Sequence, residues 1–100
     1  MSEPRAPSRR LDRWLWHARV TKSRTGAQGL IAGGQVRVNR MRIGRPSHLL
    51  AAGDIVTVAT GSRVRVLKVA RFAARRGPAG EARLLYDDLT APATPANAPG

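Results

Sequence analysis

The sequence predicts an α+β domain in which two packed helices are followed by a β-hairpin and a small, mostly antiparallel sheet. Three observations predict this fold class. Apolar residues recur at spacings of three and four before Gly33-Gly34, as they do along one side of an amphipathic helix. After this glycine pair they alternate with polar residues, as they do in strands with one buried face. Short turn signals separate the alternating runs, which is typical of antiparallel neighbours.

The first helix is predicted by a stripe of apolar residues on one side. The stripe occupies positions i, i+3, i+4 and i+7, namely Leu11, Trp14, Leu15 and Ala18. The opposite side carries Arg9, Arg13 and His17. Asp12 would lie in the first turn, where the helix dipole favours a carboxylate.

The second helix is predicted over residues 24–32. Ser23 is a favoured N-cap, and Gly33-Gly34 ends the helix. The apolar residues that it would bury are Ala27, Leu30 and Ile31. Gly26 and Gly29 each cost about 1 kcal/mol relative to alanine in a helix interior. This helix should therefore need the first helix to stay folded.

A β-hairpin is predicted directly after the second helix. Its alternating apolar residues are Val36, Val38, Met41 and Ile43. The turn lies at Asn39-Arg40, where asparagine tolerates the left-handed backbone that a two-residue turn requires. Arg40 is a poorer second residue than glycine, so the sequence leaves the turn type open.

Three further strands are predicted beyond the hairpin. The first two cover residues 55–59 and 63–69. In the second of these strands the alternation slips at Leu67, which indicates either a bulge or burial on both faces. Residues 75–80 are predicted as a loop and residues 82–86 as a final short strand.

The charge balance indicates a polyanionic partner. Eighteen lysines and arginines against six acids give a net charge of +12. The cations are interspersed among the apolar periodic positions, and a surface built only for solubility would mix both signs. A field of this strength attracts nucleic acid or anionic lipid.

Composition argues against several other classes of function. The chain has no cysteine, so disulfides, cysteine-ligated zinc and thiol catalysis are excluded. His17 and His48 have no third ligand at metal spacing, and we expect neither a metal nor any other cofactor. Glu81, Asp87 and Asp88 lack an accompanying nucleophile or small-molecule signature, so we expect surface acids and no enzymatic activity. Since no signal peptide or membrane-spanning segment is recognisable, we expect a cytoplasmic protein.

The predicted binding surface combines the second helix, the loop before it and the hairpin. Lys22 and Arg24 flank the start of the second helix, where free backbone N–H groups favour a phosphate. We expect RNA contacts, mainly to phosphates, from Arg9, Arg10, Arg13, Lys22, Ser23, Arg24, Gln28, Arg37, Asn39, Arg40 and Arg42. Trp14 should pack in the core, whereas Trp16 should cover the sheet or the C-terminal segment, with stacking on a base as the alternative.

Between residues 10 and 54 the sequence resembles the RNA-binding domain family named after ribosomal protein S4, with its alpha-L motif of two helices and a β-hairpin. The matching residues are Arg10-Leu11-Asp12, Lys22-Ser23-Arg24, Leu30-Ile31, Gly33-Gly34, Val36-Arg37-Val38-Asn39, Pro46-Ser47 and Gly53-Asp54. A closer likeness to ribosome-associated heat-shock proteins of this family is carried by residues 10–19, Arg76-Gly77-Pro78-Ala79-Gly80-Glu81-Ala82 and Leu85-Tyr86. The resemblance implies binding to ribosomal RNA of the large subunit when it carries a stranded nascent chain on transfer RNA.

The same resemblance implies a division of the chain. Residues 9–60 would form the alpha-L RNA-binding domain, and residues 61–90 a β extension of that domain. Residues 1–8 and 91–100, which are rich in proline and alanine, are predicted to be disordered. The resemblance to the heat-shock proteins also implies a basic, helix-prone extension at the C-terminal end, which residues 91–100 do not reproduce.

Two departures from the family pattern bear on the predicted surface. Gln28 stands where the family commonly has a basic residue, and Arg40 stands where the hairpin turn usually has glycine. Two rival functions stay open at this point: an architectural DNA-binding protein, and an accessory module of an RNA-modifying enzyme. The chain is too short for the catalytic domain of such an enzyme, and we expect a monomer when it is free.

Overall fold

The structure, a computed structural model, describes residues 8–90 and confirms the α+β fold class. The elements are, in chain order, α1 (Leu11–His17), α2 (Arg24–Ala32), β1 (Val36–Val38), β2 (Met41–Arg42), β3 (Ile55–Thr60), β4 (Arg63–Val69), α3 (Ala79–Ala82), a 3-10 turn (Arg83–Leu85) and β5 (Tyr86–Asp88). The strands form one antiparallel sheet in the order β2-β1-β3-β4-β5. Apart from Ser8, the ends predicted to be disordered lie outside the described residues.

No helix within residues 8–90 has the length and apolar content needed to cross a membrane.

Helix α1 packs its apolar stripe against the sheet as predicted. Leu11, Trp14 and Leu15 are completely buried. The indole Nε1 of Trp14 donates to the carbonyl of Arg71 at 3.1 Å, which satisfies the ring's polar atom inside the core. The Trp14 ring meets Tyr86 edge-on, with centroids 6.4 Å apart. Trp14 therefore ties α1 to the C-terminal half of the chain.

Helix α2 begins and ends where the sequence predicts. The Ser23 hydroxyl accepts a hydrogen bond from the backbone N–H of Gly26 at 2.9 Å, which is an N-cap interaction. Ala27 and Ile31 are fully buried and belong to the same core as α1. The dependence of α2 on α1 follows from this packing, since a nine-residue helix is too short to be stable alone.

The hairpin turn at Asn39-Arg40 is confirmed, and the structure also defines its backbone. Asn39 and Arg40 both have positive φ angles, 51° and 75°, as a type I′ turn requires. The Asn39 side chain donates to Asp54 Oδ1 at 3.0 Å and accepts from the Ile55 N–H at 2.9 Å. These bonds to the start of β3 hold the turn although Arg40 occupies a position that favours glycine.

The sheet has one buried face and one open face. The core face is lined by Val36, Val38, Val56, Val58, Leu67 and Val69. Pairing between β3 and β4 is continuous from Ile55↔Lys68 to Thr60↔Arg63, so of the two alternatives at Leu67 the bulge is wrong. Leu67 is buried on the core face, and Val66 on the other face is partly buried. The apolar residues of β4 change face at Leu67. Val64 and Val66 lie on the open face, whereas Leu67 and Val69 lie on the core face.

The strand predicted over residues 82–86 is also wrong. This segment is the end of α3 and a 3-10 turn, and the last strand begins only at Tyr86. Pro78 precedes α3, and its carbonyl accepts from the N–H groups of Glu81 and Ala82. The adjacent leucines then divide between solvent and core, with Leu84 exposed and Leu85 buried, as they can in a helical turn.

Candidate nucleic-acid interface

A first group of cations surrounds the junction between α1 and α2, and we call it the helix cluster. It consists of Arg13 on α1, Lys22 in the loop and Arg24 at the start of α2. Lys22 is exposed, whereas Arg13 and Arg24 are partly buried. None of the three makes an ion pair within residues 8–90, where the ion pairs are Arg10–Asp12 and Arg65–Asp88.

A second group, the hairpin cluster, consists of Arg37, Arg40 and Arg42. Arg37 and Arg42 are directly opposite each other on β1 and β2, and Arg40 lies at the turn; all three are exposed. Like charges at directly opposite positions destabilise a strand pair. A bound polyanion would relieve this repulsion.

The two clusters lie at opposite ends of α2. The Arg42 side chain packs beside Gly34, where a methyl group would be 3.3 Å from Arg42 Nε. Arg24 begins the same helix, so the two arginines are separated along its axis by about 14 Å, at 1.5 Å per residue. Helix α2 thus carries positive charge at both ends and offers a polyanion two separate points of attachment.

The acidic residues of β5 lie away from the hairpin cluster. Four strand spacings separate β2 from β5, which corresponds to about 19 Å. On the β5 side, Arg65 faces Asp88 at 3.9 Å, and Lys68 is the cross-strand partner of Asp87. The positive charge of the hairpin cluster is therefore not neutralised by these acids.

Two of the predicted RNA-binding side chains are instead joined to Asp12. Arg10 donates two hydrogen bonds to this fully buried carboxylate, each at 3.0 Å, and Gln28 donates one at 3.1 Å. Burial by itself would raise the pKa of Asp12, but the bonds from Arg10 and Gln28, the Arg10 charge and the Arg13 N–H together lower it. This network links α1 to α2 through polar groups. It engages Nε and Nη2 of Arg10 and the side-chain amide of Gln28, while the Arg10 side chain stays 39% exposed.

Asp12→Asn is expected to lower the free energy of unfolding at pH 7 by about 1 to 3 kcal/mol, because the buried bonds lose their charged acceptor. Since the folded-state pKa of Asp12 is depressed, its contribution is fully present above the ordinary value of 3.8 and is lost as the pH falls through the folded value. Urea unfolding from pH 6 to about pH 2 should therefore show the wild type and the variant converging at the acid end. Asp87→Asn, at an exposed position, is the control; an equal loss in both variants would contradict this role.

Three other predicted residues also make contacts within the chain. Arg9 Nε donates to the carbonyl of Leu50 at 2.9 Å, and its guanidinium lies 5.9 Å from the centroid of the Phe72 ring. Ser23 caps α2, and Asn39 holds the hairpin turn. Of the eleven predicted residues, the structure therefore leaves the helix and hairpin clusters as the cations that are neither paired with an acid nor hydrogen-bonded to the protein within residues 8–90.

Two residues near the helix cluster were not predicted to belong to it. His17 was placed on the polar side of the first helix, but it is 2% exposed. Burial, followed by the charges of Arg13, Arg24 and Arg76, lowers the pKa of its imidazole. Arg76 reaches the end of α1, where its Nε donates to the carbonyl of Trp16 at 3.2 Å. No local sequence pattern predicts this contact, because the two residues are 60 positions apart in the chain.

Trp16 contacts the C-terminal segment, as the sequence predicts. The guanidinium of Arg76 lies 5.9 Å from the Trp16 ring centroid. Arg19, two residues beyond the end of α1, donates twice to the carbonyl of Gly77, at 2.9 and 3.1 Å. These contacts fix residues 76–77 beside the helix cluster.

A helix pair and a hairpin that both present unpaired cations define a class of small α+β domains suited to a polyanionic ligand. Residues 9–56 match the family model of the S4 domain. The chain is 39% identical over 88 residues to heat shock protein 15 of Escherichia coli K12, a match that covers 88% of this chain and 65% of that protein. It is 36% identical over 59 residues to the small ribosomal subunit protein uS4 of Xanthobacter autotrophicus, covering 59% of this chain and 29% of that protein.

The chain is also similar to a solved structure of a heat shock protein 15. Heat shock protein 15 of Vibrio cholerae, described as trimeric, matches with a TM-score of 0.74 at 34% sequence identity and covers 79% of each chain. The chain belongs to the heat shock protein 15 family of S4-domain proteins. It spans 65% of the length of the Escherichia coli relative.

Proposed function

We propose that this protein binds structured RNA through the helix and hairpin clusters and has no enzymatic activity. The observation that supports this most directly is the pair of unneutralised cation groups at the two ends of α2. Within each cluster the three positive side chains repel one another, and an RNA backbone would supply the missing negative charge.

Contacts to phosphates would determine affinity, and the shape of the RNA would determine specificity. The two clusters are carried by packed elements, the helix pair α1–α2 and the Asn39-Arg40 turn, so we expect the backbone positions that carry them to keep a constant separation. A constant separation favours a folded RNA, in which phosphates also have constant positions, over a flexible single strand.

We further propose that the RNA is ribosomal RNA of the large subunit, in the state that carries a stranded nascent chain on transfer RNA. Support comes from membership of a family named for heat shock and from similarity to a ribosomal protein. The ribosome would place this activity in the cytoplasm. We expect the free chain to be a monomer, since its net charge of +12 opposes self-association.

A salt titration of binding to structured RNA tests the first part of this proposal. If about five cations contact phosphates, the logarithm of affinity should fall by roughly 3.5 to 4.5 per logarithmic unit of salt. Duplex DNA of matched length is the competitor. Equal competition by DNA and RNA would contradict RNA binding and favour an architectural DNA-binding protein.

Sedimentation of the tagged protein through a gradient of cell extract tests the ribosomal part. We expect it to travel with large subunits, and more of it to do so when nascent chains have been stranded on them. Sedimentation at the top of the gradient, with RNA binding intact in the titration, would contradict the ribosomal target alone.

A further inference from the structure

Three segments of the chain bring arginines to one place at the end of α1. Arg13 lies one helical turn before His17 on α1, and Arg24 begins α2, which packs against α1. Arg76 arrives from the C-terminal half and is held by its bond to the Trp16 carbonyl. All three are close enough to depress the pKa of the His17 imidazole. The buried imidazole thus has three cations near it.

Three nitrogens in this group are buried without a hydrogen-bond partner among residues 8–90. They are Arg13 Nε, Arg24 Nε and His17 Nδ1. A buried donor that lacks an acceptor costs about 1 to 3 kcal/mol, more when it is charged, so proteins rarely retain several together without a reason. The neighbouring guanidiniums cannot accept hydrogen bonds. Two neighbouring guanidiniums thus lack an acceptor within residues 8–90, and a phosphate is a group that would supply acceptor oxygens and offset their charge.

We propose that Arg13, Arg24 and Arg76 form a binding site for a single phosphate group, with His17 as its floor. This inference rests on the proposed function, since the phosphate assigned here is one of the RNA backbone. The outer nitrogens of Arg13 and Arg24 are not among the buried unpaired atoms, so a phosphate can reach them from solvent. Guanidinium groups match the geometry of phosphate oxygens and bind them in pairs of hydrogen bonds.

A phosphate at this site would change the protonation of His17. The charged groups that act on the imidazole are Arg13 from α1, Arg24 from α2 and Arg76 from the C-terminal segment. Arg71, Arg75 and Glu81 line a cavity of about 330 Å³ that the imidazole also borders. Burial and the nearby arginines keep the imidazole neutral at pH 7. A bound phosphate offsets the positive field, raises the pKa of His17 and makes protonation of the ring favourable. Binding at this site should therefore take up a proton.

NMR titration of the two histidines in the full chain tests this inference. His17 and His48 are the histidines of the sequence, and partly exposed His48 serves as the reference in the same sample. With inorganic phosphate, and separately with structured RNA, we expect the pKa of His17 to rise by about one unit and the ring resonances of His48 to move much less. Sodium chloride at matched ionic strength controls for screening.

Arg76→Gln and Arg75→Gln form a matched pair for the same question. They are adjacent in sequence and remove the same charge, but Arg75 is exposed and is not among the arginines that depress the pKa of His17. Arg76→Gln should weaken RNA binding roughly tenfold and lower the salt slope by about 0.7 to 0.9, whereas Arg75→Gln should change affinity less than about twofold. If Arg76→Gln does not fold, the titration of the wild type decides alone.

The outcomes separate this site from the proposed function. RNA binding without a rise in the pKa of His17, or with an equal movement of the His48 resonances, overturns the phosphate site and leaves the proposed RNA binding intact. A rise in the pKa of His17 with inorganic phosphate but not with RNA supports the phosphate site and overturns the assignment of its phosphate to RNA.

Discussion

Replacement of Lys22 and Arg24 together by alanine is expected to weaken binding to structured RNA roughly a hundredfold, because each loses a charge-assisted contact to phosphate. Neither side chain forms an ion pair or a side-chain hydrogen bond with the protein within residues 8–90, so the thermal midpoint should change little. Filter binding at constant salt and a thermal scan measure the two quantities.

Lys68→Ala combined with Arg83→Ala is the matched control for this double variant. It also removes one lysine and one arginine, both exposed, from β4 and from the 3-10 turn of the C-terminal half. If affinity depended only on net charge, the two double variants would bind RNA equally weakly. That result, or unaltered affinity of the first variant, would contradict the helix cluster as the binding surface.

Trp14→Ala is expected to reduce the free energy of unfolding by about 3 to 5 kcal/mol, the usual cost of removing a large buried aromatic side chain. Trp14 is 0% exposed, packs edge-on against Tyr86 and donates to the Arg71 carbonyl. The substitution would leave a cavity between α1 and the C-terminal half and an unpaired carbonyl beside it. For a domain of this size such a loss approaches the total stability. Urea unfolding monitored by circular dichroism gives the value.

Two further variants identify the source of this effect. Trp14→Phe keeps most of the packing but removes the indole N–H, so it isolates the hydrogen bond to Arg71. Trp16→Ala removes the other tryptophan, which is only partly buried, and should cost much less. Equal losses for Trp14→Ala and Trp16→Ala would contradict a core role specific to Trp14.

The local elements could be predicted because their signals lie within a few residues of one another. The stripe of α1, the Ser23 cap of α2 and the alternation of β1 follow from the spacing of apolar residues and from short-range hydrogen bonds. The prediction over residues 82–86 is wrong because it also relies on a local signal alone, and that signal is ambiguous. Its short apolar run suits either a strand or a helical turn, and the packing of Leu85 in the core selected the helical turn.

The sequence by itself determined the fold class, the positions of both helices and the hairpin, and the excess of cations over acids. Only the tertiary structure shows which of the predicted residues bond to the protein itself. Asp12 accepts hydrogen bonds from Arg10 and Gln28, and Arg76 reaches the end of α1 from 60 residues away along the chain. The spacing of apolar residues predicts which side of an element a residue occupies. Whether a cation is paired with an acid depends on which elements pack together, and long-range contacts determine this packing.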